Sequence, residues 1–358
     1  MRTMLTALTS SLIIASSPTM AAQEQDTLKT FVPMASYDAD LVVNTTGGLK
    51  TGACYVGYAT LGIEINPWKH GTFNFMIGST QGGYPTEDYV GDLQWVNSNE
   101  GGNHIFAINA WYRHTIGPVA ITAGLQDMND IYTTTEVAGN MMNSAFTMSN
   151  SFSVNTGMPS SPVTGLGVNV GWQVNESFLW NFAAFDGKVY DLDDGNRFNL
   201  KYSLSKREGF ILASEAQITP SQQPLTLKLG TYYHTARENW DIYAMAEGEC
   251  ARWGERKLEA FGTFGYSPRK SEQTVVSLTC GGKLTKVFSS KGNDALTLGL
   301  ASAYLAGHPW ESSLELNYRY DLWKYFFVAP DIQWVINPAR VEGARNALVC
   351  SLRLGFEL

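Results

Sequence analysis

The sequence predicts an all-β protein: a transmembrane antiparallel β-barrel of about sixteen strands, with one connecting loop folded into its interior. Three observations predict it. The last strand alternates strictly between an apolar and a polar face, two segments before it repeat that alternation, and no apolar run is long enough for a membrane-spanning helix. An apolar face paired with a hydrogen-bonding face is typical of strands that separate lipid from a water-filled interior.

The clearest alternation is in the last thirteen residues, Asn346 to Leu358. One parity contains Leu348, Cys350, Leu352, Leu354, Phe356 and Leu358, and the other contains Val349, Ser351, Arg353, Gly355 and Glu357. Side chains of a strand point to opposite faces in turn, so the apolar set shares one face. We expect that face to contact lipid.

Two earlier segments, Glu311 to Asp321 and Phe326 to Asn337, repeat this pattern with different residues. Each places bulky apolar side chains on one face and carboxylates, amides or hydroxyls on the other. Polar groups buried without partners cost roughly 2–7 kcal/mol each, whereas water in a lumen would satisfy them. The pattern therefore favours a wet interior over a packed core.

Composition agrees with many short strands in one domain. Aromatic residues are abundant at 12%, charged residues are sparse at 16%, and the 34 glycines are not bunched into a linker. The net charge of −8, without a cluster of basic residues, argues against nucleic acid as a partner.

The N-terminal region has the features of an exported protein. Residues 1–21 combine Arg2, an apolar run and a small-residue cleavage site, which predicts a signal peptide. We predict an N-terminal periplasmic segment over 22–52 and the barrel over 53–358, in the outer membrane of a Gram-negative cell. The implied partners are outer-membrane lipids and the barrel-assembly machinery.

Alternating segments recur along the chain at short intervals, and their number is even, as bacterial barrels require. A further alternating run, Arg197 to Leu204, is assigned to a loop because counting it would make the number odd. The predicted strands are 53–65, 71–79, 88–96, 105–114, 118–125, 166–174, 178–185, 209–218, 225–234, 239–249, 257–266, 274–284, 295–305, 311–321, 326–336 and 346–358.

The lengths of the connections give an independent check. With both termini periplasmic, the long connections Gln126 to Gly165 and Asp186 to Glu208 fall outside, and the short ones fall inside. The first of these, rich in Asn, Ser, Thr and Met, is too long for an ordinary loop. We predict that it folds inward and narrows the channel; the alternative is a disordered external loop.

Several short motifs occur in order along the chain from about Gly52 to its end. They are YVGDLQWVNSNE (Tyr89 to Glu100), AGLQDMNDIY (Ala123 to Tyr132), NSAF (Asn143 to Phe146), Pro159 with Pro162, FDG (Phe185 to Gly187), Glu311 with Glu315 and Tyr318, and APDIQWVINP (Ala329 to Pro338). Together these motifs resemble the carbohydrate-selective porin family. Two departures concern the final Leu358, where phenylalanine is preferred, and a strand carrying Asn109, Trp111 and Arg113 in place of glutamates. The resemblance implies a sixteen-stranded outer-membrane barrel that passes glucose and related sugars by diffusion.

Sugar recognition requires hydrogen-bonding groups matched to hydroxyls, beside an aromatic face for the ring. Residues of inward-facing parity carry such groups, and Asn109 and Gln217 also have this parity. The alternative for each is a wall residue that only keeps the lumen polar. The substrate-binding candidates are Asp92, Gln94, Trp111, Arg113, Glu215, Arg319, Asp331 and Gln333.

Other chemistry has weak support. Three of the four cysteines (Cys250, Cys280, Cys350) share the apolar parity and Cys54 the polar one, so we expect apolar fillers and not disulfides. The five histidines lack metal-ligand spacing and no G-x-S-x-G motif is present, so we predict no cofactor, no metal and no enzyme. The alternative functions are a non-specific general porin, an outer-membrane hydrolase and an adhesin. Oligomeric state stays open.

Overall fold

The structure is a computed structural model that describes residues 30–193, 195–221, 223–268, 273–289 and 291–358. Within these ranges, sixteen antiparallel strands form a closed barrel in which the first strand pairs with the last. None of the helices in the described ranges is long and apolar enough to cross a membrane. The strands are β1 (Phe31–Gly48), β2 (Gly52–Trp68), β3 (Gly71–Gly82), β4 (His104–Ile116), β5 (Val119–Gln126), β6 (Gly165–Asn175), β7 (Phe178–Asp186), β8 (Phe210–Ile218), β9 (Leu225–His234), β10 (Asn239–Trp253), β11 (Arg256–Tyr266), β12 (Val276–Thr285), β13 (Asp294–Tyr304), β14 (Glu311–Trp323), β15 (Phe326–Ile336) and β16 (Arg345–Glu357).

The predicted two-faced wall is confirmed. In β16, Leu352 and Leu354 point outward and are 41% and 54% exposed, whereas Ser351 and Arg353 point inward and are 6% and 8% exposed. The outward row is therefore the apolar surface that faces lipid, and the inward row is covered by material inside the barrel.

The first strand corrects the predicted domain boundary, because β1 lies inside the segment 22–52. It pairs with β2 along its length and closes the barrel against β16. Its alternation is weak, since its outward row includes the small residues Ala35 and Ala39 and its inward row includes the apolar residues Met34 and Val42. The predicted signal peptide lies outside the described residues.

The predicted strand 88–96 is wrong. The chain forms a single π-helical turn at Thr86–Val90, and the backbone then adopts positive φ at Gly91 (80°) and Trp95 (60°), conformations that a strand excludes. Asp92 and Gln94 therefore do not belong to the wall. The predicted number of strands is right because this false strand offsets the missed β1.

The predicted asymmetry of the connections is confirmed. The end of the barrel that holds the C-terminus has two-residue turns at 69–70, 117–118, 176–177, 254–255 and 324–325, and the opposite end has the long connections 83–103, 127–164 and 187–209. The run from Arg197 to Leu204 lies in the last of these, as predicted.

All four cysteines are free. Cys250 and Cys280 are exposed on the outer surface, and Cys350 lies on the outward row of β16. Cys54 is on the inner side of β2, where it is partly buried against Val42 and Val56.

Candidate functional site

The long connection Asp127–Thr164, which we name the inner segment, lies against the inside of the barrel wall. Glu315 of β14 provides one attachment point. Its Oε1 accepts a hydrogen bond from the backbone N–H of Met142 (2.6 Å), and its Oε2 accepts one from Asn143 (3.0 Å). Both amides belong to fully buried parts of the segment, so the carboxylate replaces partners that water cannot supply.

A second attachment point lies on the neighbouring side of the wall. Glu247 Oε2 of β10 accepts hydrogen bonds from the N–H groups of Glu136 and Val137, both at 2.9 Å. Lys228 Nζ of β9 donates to the carbonyl oxygen of Thr134 at 2.8 Å. The opposite charges of these wall residues thus match the N–H and C=O groups of one turn of the inner segment.

The short helix α1 (Asn150–Thr156) of the inner segment fixes its far end. The ring of Phe152 stacks on Tyr232 with centroids 4.5 Å apart, and the side-chain amide of Asn155 donates to the carbonyl oxygen of Thr274 at 2.6 Å. Aromatic packing and hydrogen bonds therefore hold α1 on β9, β10 and the connection before β12.

A cavity of about 1370 Å³ remains between the inner segment and the wall. The inner segment contributes only acidic charged side chains to its surface, and the basic ones come from the wall and from Arg340. The charged residues that line it are Glu100, Asp127, Asp130, Glu136, Asp191, Lys228, Glu247, Glu249, Lys257, Glu259, Lys283 and Arg340.

The wall side of this cavity carries a row of paired charges on β10, β11 and β12. Glu259 pairs with Lys257 at 2.5 Å and with Lys283 at 3.5 Å. Lys283 is directly opposite Glu259 in the register of the two strands, and Glu249 is opposite it on the other side. Carboxylate and ammonium groups therefore lie together at one level of the wall, in the order Glu249, Glu259 and Lys283 across the three strands.

The predicted pair Trp111 and Arg113 lies on the inner face of β4, away from the charged row on β10 to β12. The guanidinium of Arg113 lies 4.8 Å from the centre of the Trp111 ring, and its Nε donates to Thr122 Oγ1 at 3.0 Å. Asp130 of the inner segment adjoins this pair. Burial raises the pKa of Asp130 well above its usual value, and Asp127 raises it further, against smaller opposing effects from Asn109 and Arg113.

Asp92 and Gln94 are buried in the connection 83–103. The backbone N–H of Gln94 donates to Glu311 Oε1 at 3.0 Å, and that of Leu93 donates to both oxygens of the same carboxylate. Burial raises the pKa of Asp92 well above its usual value, with Glu311 and Glu100 as further causes. Gln94 lines the cavity, and Asp92 does not.

Trp111 and Arg113 do not line the cavity, and neither do the remaining predicted residues, which use their polar atoms for contacts within the barrel. Glu215 Oε2 accepts hydrogen bonds from Tyr243 Oη (2.7 Å) and from Thr133 N–H (3.3 Å). Arg319 forms a two-point contact with Glu357, with distances of 3.1 and 3.0 Å, at the C-terminal end of the barrel.

Asp331 and Gln333 form one network on β15. Gln333 Nε2 donates to Asp331 Oδ1 (3.1 Å) and to the carbonyl oxygen of Val96 (2.8 Å), while Asn143 Nδ2 donates to Gln333 Oε1 (3.3 Å). This network joins two connections to the wall: the connection 83–103 through Val96, and the inner segment through Asn143.

Sequence reasoning missed the lining residues of β9 to β12. Lys228, Glu247, Glu249, Glu259 and Lys283 all have inward parity in segments that were predicted as strands, so the alternation alone could have found them. Among the described residues, no group of three or more His, Cys, Asp or Glu is placed to hold a metal ion.

A closed sixteen-strand barrel with a lipid-facing exterior and a polar cavity defines an outer-membrane channel of the porin class. The sequence matches the family described as "Carbohydrate-selective porin, OprB family" over residues 64–240 and 230–358. The chain belongs to that family, and its function is that of a carbohydrate-preferring outer-membrane porin. The resemblance predicted from the motifs is confirmed.

Solved structures show the same fold. The chain is similar to the high-pH structure of Pseudomonas putida OprB, with a TM-score of 0.83, 19% identity, and coverage of 92% of this chain and 94% of that one. The low-pH structure of Pseudomonas putida OprB gives a TM-score of 0.64, 16% identity, and coverage of 92% and 93%. A mutant of the Rh. blastica porin gives 0.53, 10% identity, and coverage of 92% and 100%. A search of curated proteins gave no match.

Proposed function

We propose that the inner segment narrows the lumen and that small sugars cross a Gram-negative outer membrane passively through the cavity beside it. The observation that carries this proposal is the cavity of about 1370 Å³, whose wall offers paired ammonium and carboxylate groups. Hydroxyl groups both donate and accept hydrogen bonds, so a row that carries both ammonium and carboxylate groups can replace the hydration shell of a sugar step by step.

Such contacts are weak enough for transport. A hydrogen bond to a charged group contributes about 1.5–3 kcal/mol, so one or two at a time permit both entry and release. Because Lys257 and Lys283 both contact Glu259 and Glu249 lies opposite Glu259, two positive and two negative charges offset one another, which suits an uncharged solute better than an ion. The function is transport without catalysis.

Of the eight residues predicted from the sequence, we retain Trp111 and Arg113 as a second sugar contact. The guanidinium lies 4.8 Å from the centre of the ring, and both side chains are partly exposed near Asp130, which lines the cavity. We expect the end of the barrel that holds the C-terminus to be periplasmic. The opposite end, where the inner segment begins and ends, is then the external one.

The test compares entry of glucose, a disaccharide and an uncharged amino acid into liposomes by their swelling rates. Deleting Asn140 to Thr156 should widen the bore and remove the preference among solutes. Lys283→Ala and Arg113→Ala should each lower the preference for glucose, with ion conductance equal or larger. Lys286→Ala, in the turn after β12 and outside the cavity, is the matched control.

A non-specific general porin is the second candidate. If wild-type protein admits glucose no faster than its size dictates, or if the deletion and the two substitutions keep the wild-type order of solutes, selectivity at this cavity is refuted and the general porin stands.

A further inference from the structure

The connection 187–209 contains a stretch of basic and apolar residues that has no role in the proposed transport function. Residues 196–207, which we name the rim segment, carry four basic residues and no acidic residue. Its large apolar side chains Phe198, Leu200 and Leu204 are 51%, 63% and 57% exposed. Exposed apolar side chains grouped with basic ones are typical of segments that lie at a membrane interface.

One end of the rim segment is fixed to the edge of the barrel wall. The backbone N–H of Ala107 in β4 donates to the carbonyl oxygen of Phe198 at 3.0 Å, and Asn199 Nδ2 donates to the carbonyl oxygen of Ala107 at 3.0 Å. Strand β5 pairs with β4 only from Ala110 onward, so the rim segment covers the part of β4 that extends beyond β5.

The other end is fixed at the end of β7. Asp186 Oδ2 accepts hydrogen bonds from the backbone N–H groups of Ser203 (2.8 Å) and Leu204 (3.0 Å). The chain then enters β8, whose outward residues Phe210 and Leu212 are 36% and 43% exposed. The apolar side chains of the rim segment are thus continuous along the chain with the lipid-facing surface.

Three basic groups of the rim segment are available for an external partner. Arg197, Lys206 and Arg207 are exposed, and among the described residues none has a carboxylate within ion-pair distance. We propose that the rim segment binds the phosphorylated headgroups of lipids in the leaflet at the loop end of the barrel. Its apolar side chains enter the boundary of the acyl region while its basic groups contact phosphates.

Charge and continuity favour lipid over a second copy of this chain. Two rim segments facing each other across a twofold axis would bring their basic residues together, and like charges at short range are unfavourable. Anionic headgroups instead complement the segment, and the adjoining β8 surface already faces lipid.

The test uses the whole protein in neutral detergent, with diphosphorylated lipid A as the probe and phosphatidylcholine as the reference, and bound lipid is counted by native mass spectrometry. Wild-type protein should retain lipid A preferentially. The variant with Arg197→Gln, Lys206→Gln and Arg207→Gln should bind it more weakly by about fivefold per charge, on the order of a hundredfold in all.

The matched control replaces three exposed lysines in the turns at the opposite end with glutamine: Lys69, Lys291 and Lys324. It should leave lipid A binding within about twofold of wild type, since a charge more than a Debye length away is screened. The variant with Phe198→Ser and Leu200→Ser should also bind lipid A more weakly, although it keeps every charge.

The proposal is overturned if wild-type protein shows no preference for lipid A, or if the control variant loses as much binding as the rim variant. It is also overturned if wild-type protein self-associates in light scattering and the rim variant does not, because a copy of the chain would then be the partner. The rate of sugar-driven liposome swelling should be the same in wild type and in the rim variant. The outcome of the lipid-binding test is therefore independent of the transport proposal.

Discussion

Glu315→Ala should detach the inner segment from β14. Each hydrogen bond that a carboxylate accepts contributes about 1.5–3 kcal/mol, and Glu315 accepts two, from Met142 and Asn143. Because the desolvation of the carboxylate offsets part of this, we take the lower value of about 1.5 kcal/mol for each bond, which gives about 3 kcal/mol for the two bonds together. At about 1.4 kcal/mol per factor of ten, the detached population should rise about a hundredfold.

The measurement is hydrogen exchange of the Met142 and Asn143 amides, followed by single-channel conductance in planar bilayers. Both should increase in Glu315→Ala. Ser313→Ala is the control, because Ser313 lies on the same face of β14 and, within the described residues, its hydrogen bond to the segment is the long one from Asn143 Nδ2 at 3.5 Å. If the two variants exchange and conduct alike, Glu315 does not hold the segment.

Three further predictions concern other parts of the barrel. Arg353→Ala removes a two-point contact with Asp40 (2.7 Å at both atoms) across the β1–β16 closure; since breaking a buried pair costs about 3–5 kcal/mol, the barrel should unfold in SDS at a lower temperature, and an unchanged temperature would contradict this. Burial raises the pKa of Glu100 from 4.5 to about 8, so its contribution to the packing of the connection 83–103 should be greatest below pH 4.5, fall as pH rises to about 8 and then stay constant. Glu100→Gln should therefore reduce the pH dependence of the protection factor of the Thr86 amide, which donates to Glu100, and an unchanged dependence would contradict this. Cys280→Val, on the lipid-facing surface, should leave assembly and heat resistance unchanged, and a loss of folded protein would show that the small side chain is required there.

The sequence predicts the wall correctly where a strand alternates clearly between apolar and polar residues, as in β14 to β16. The lipid-facing side of such a strand has to be apolar whichever strands pair with it. It fails where a contact distant in sequence decides the outcome. Asp40 is stable inside the barrel because Arg353 pairs with it, and no local pattern contains that information. Leu93 and Gln94 alternate like a strand, yet the carboxylate of Glu311 holds their amides in an irregular conformation.

The same argument explains why most predicted site residues serve as supports. A connection that runs inside a barrel has no neighbouring strand, so each of its buried N–H groups needs another acceptor. One carboxylate can accept two adjacent N–H groups, which makes inward-facing glutamate an efficient anchor. Glu311 and Glu315 lie four residues apart on one face of β14, about 13 Å along the strand, and hold two different connections. Their spacing in the family motif thus sets the separation of the two connections inside the lumen. In the function proposed above, sugar preference depends on the residues that line the cavity, chiefly the charged row on β10 to β12, and substitutions there should change the order of solutes without loosening the inner segment.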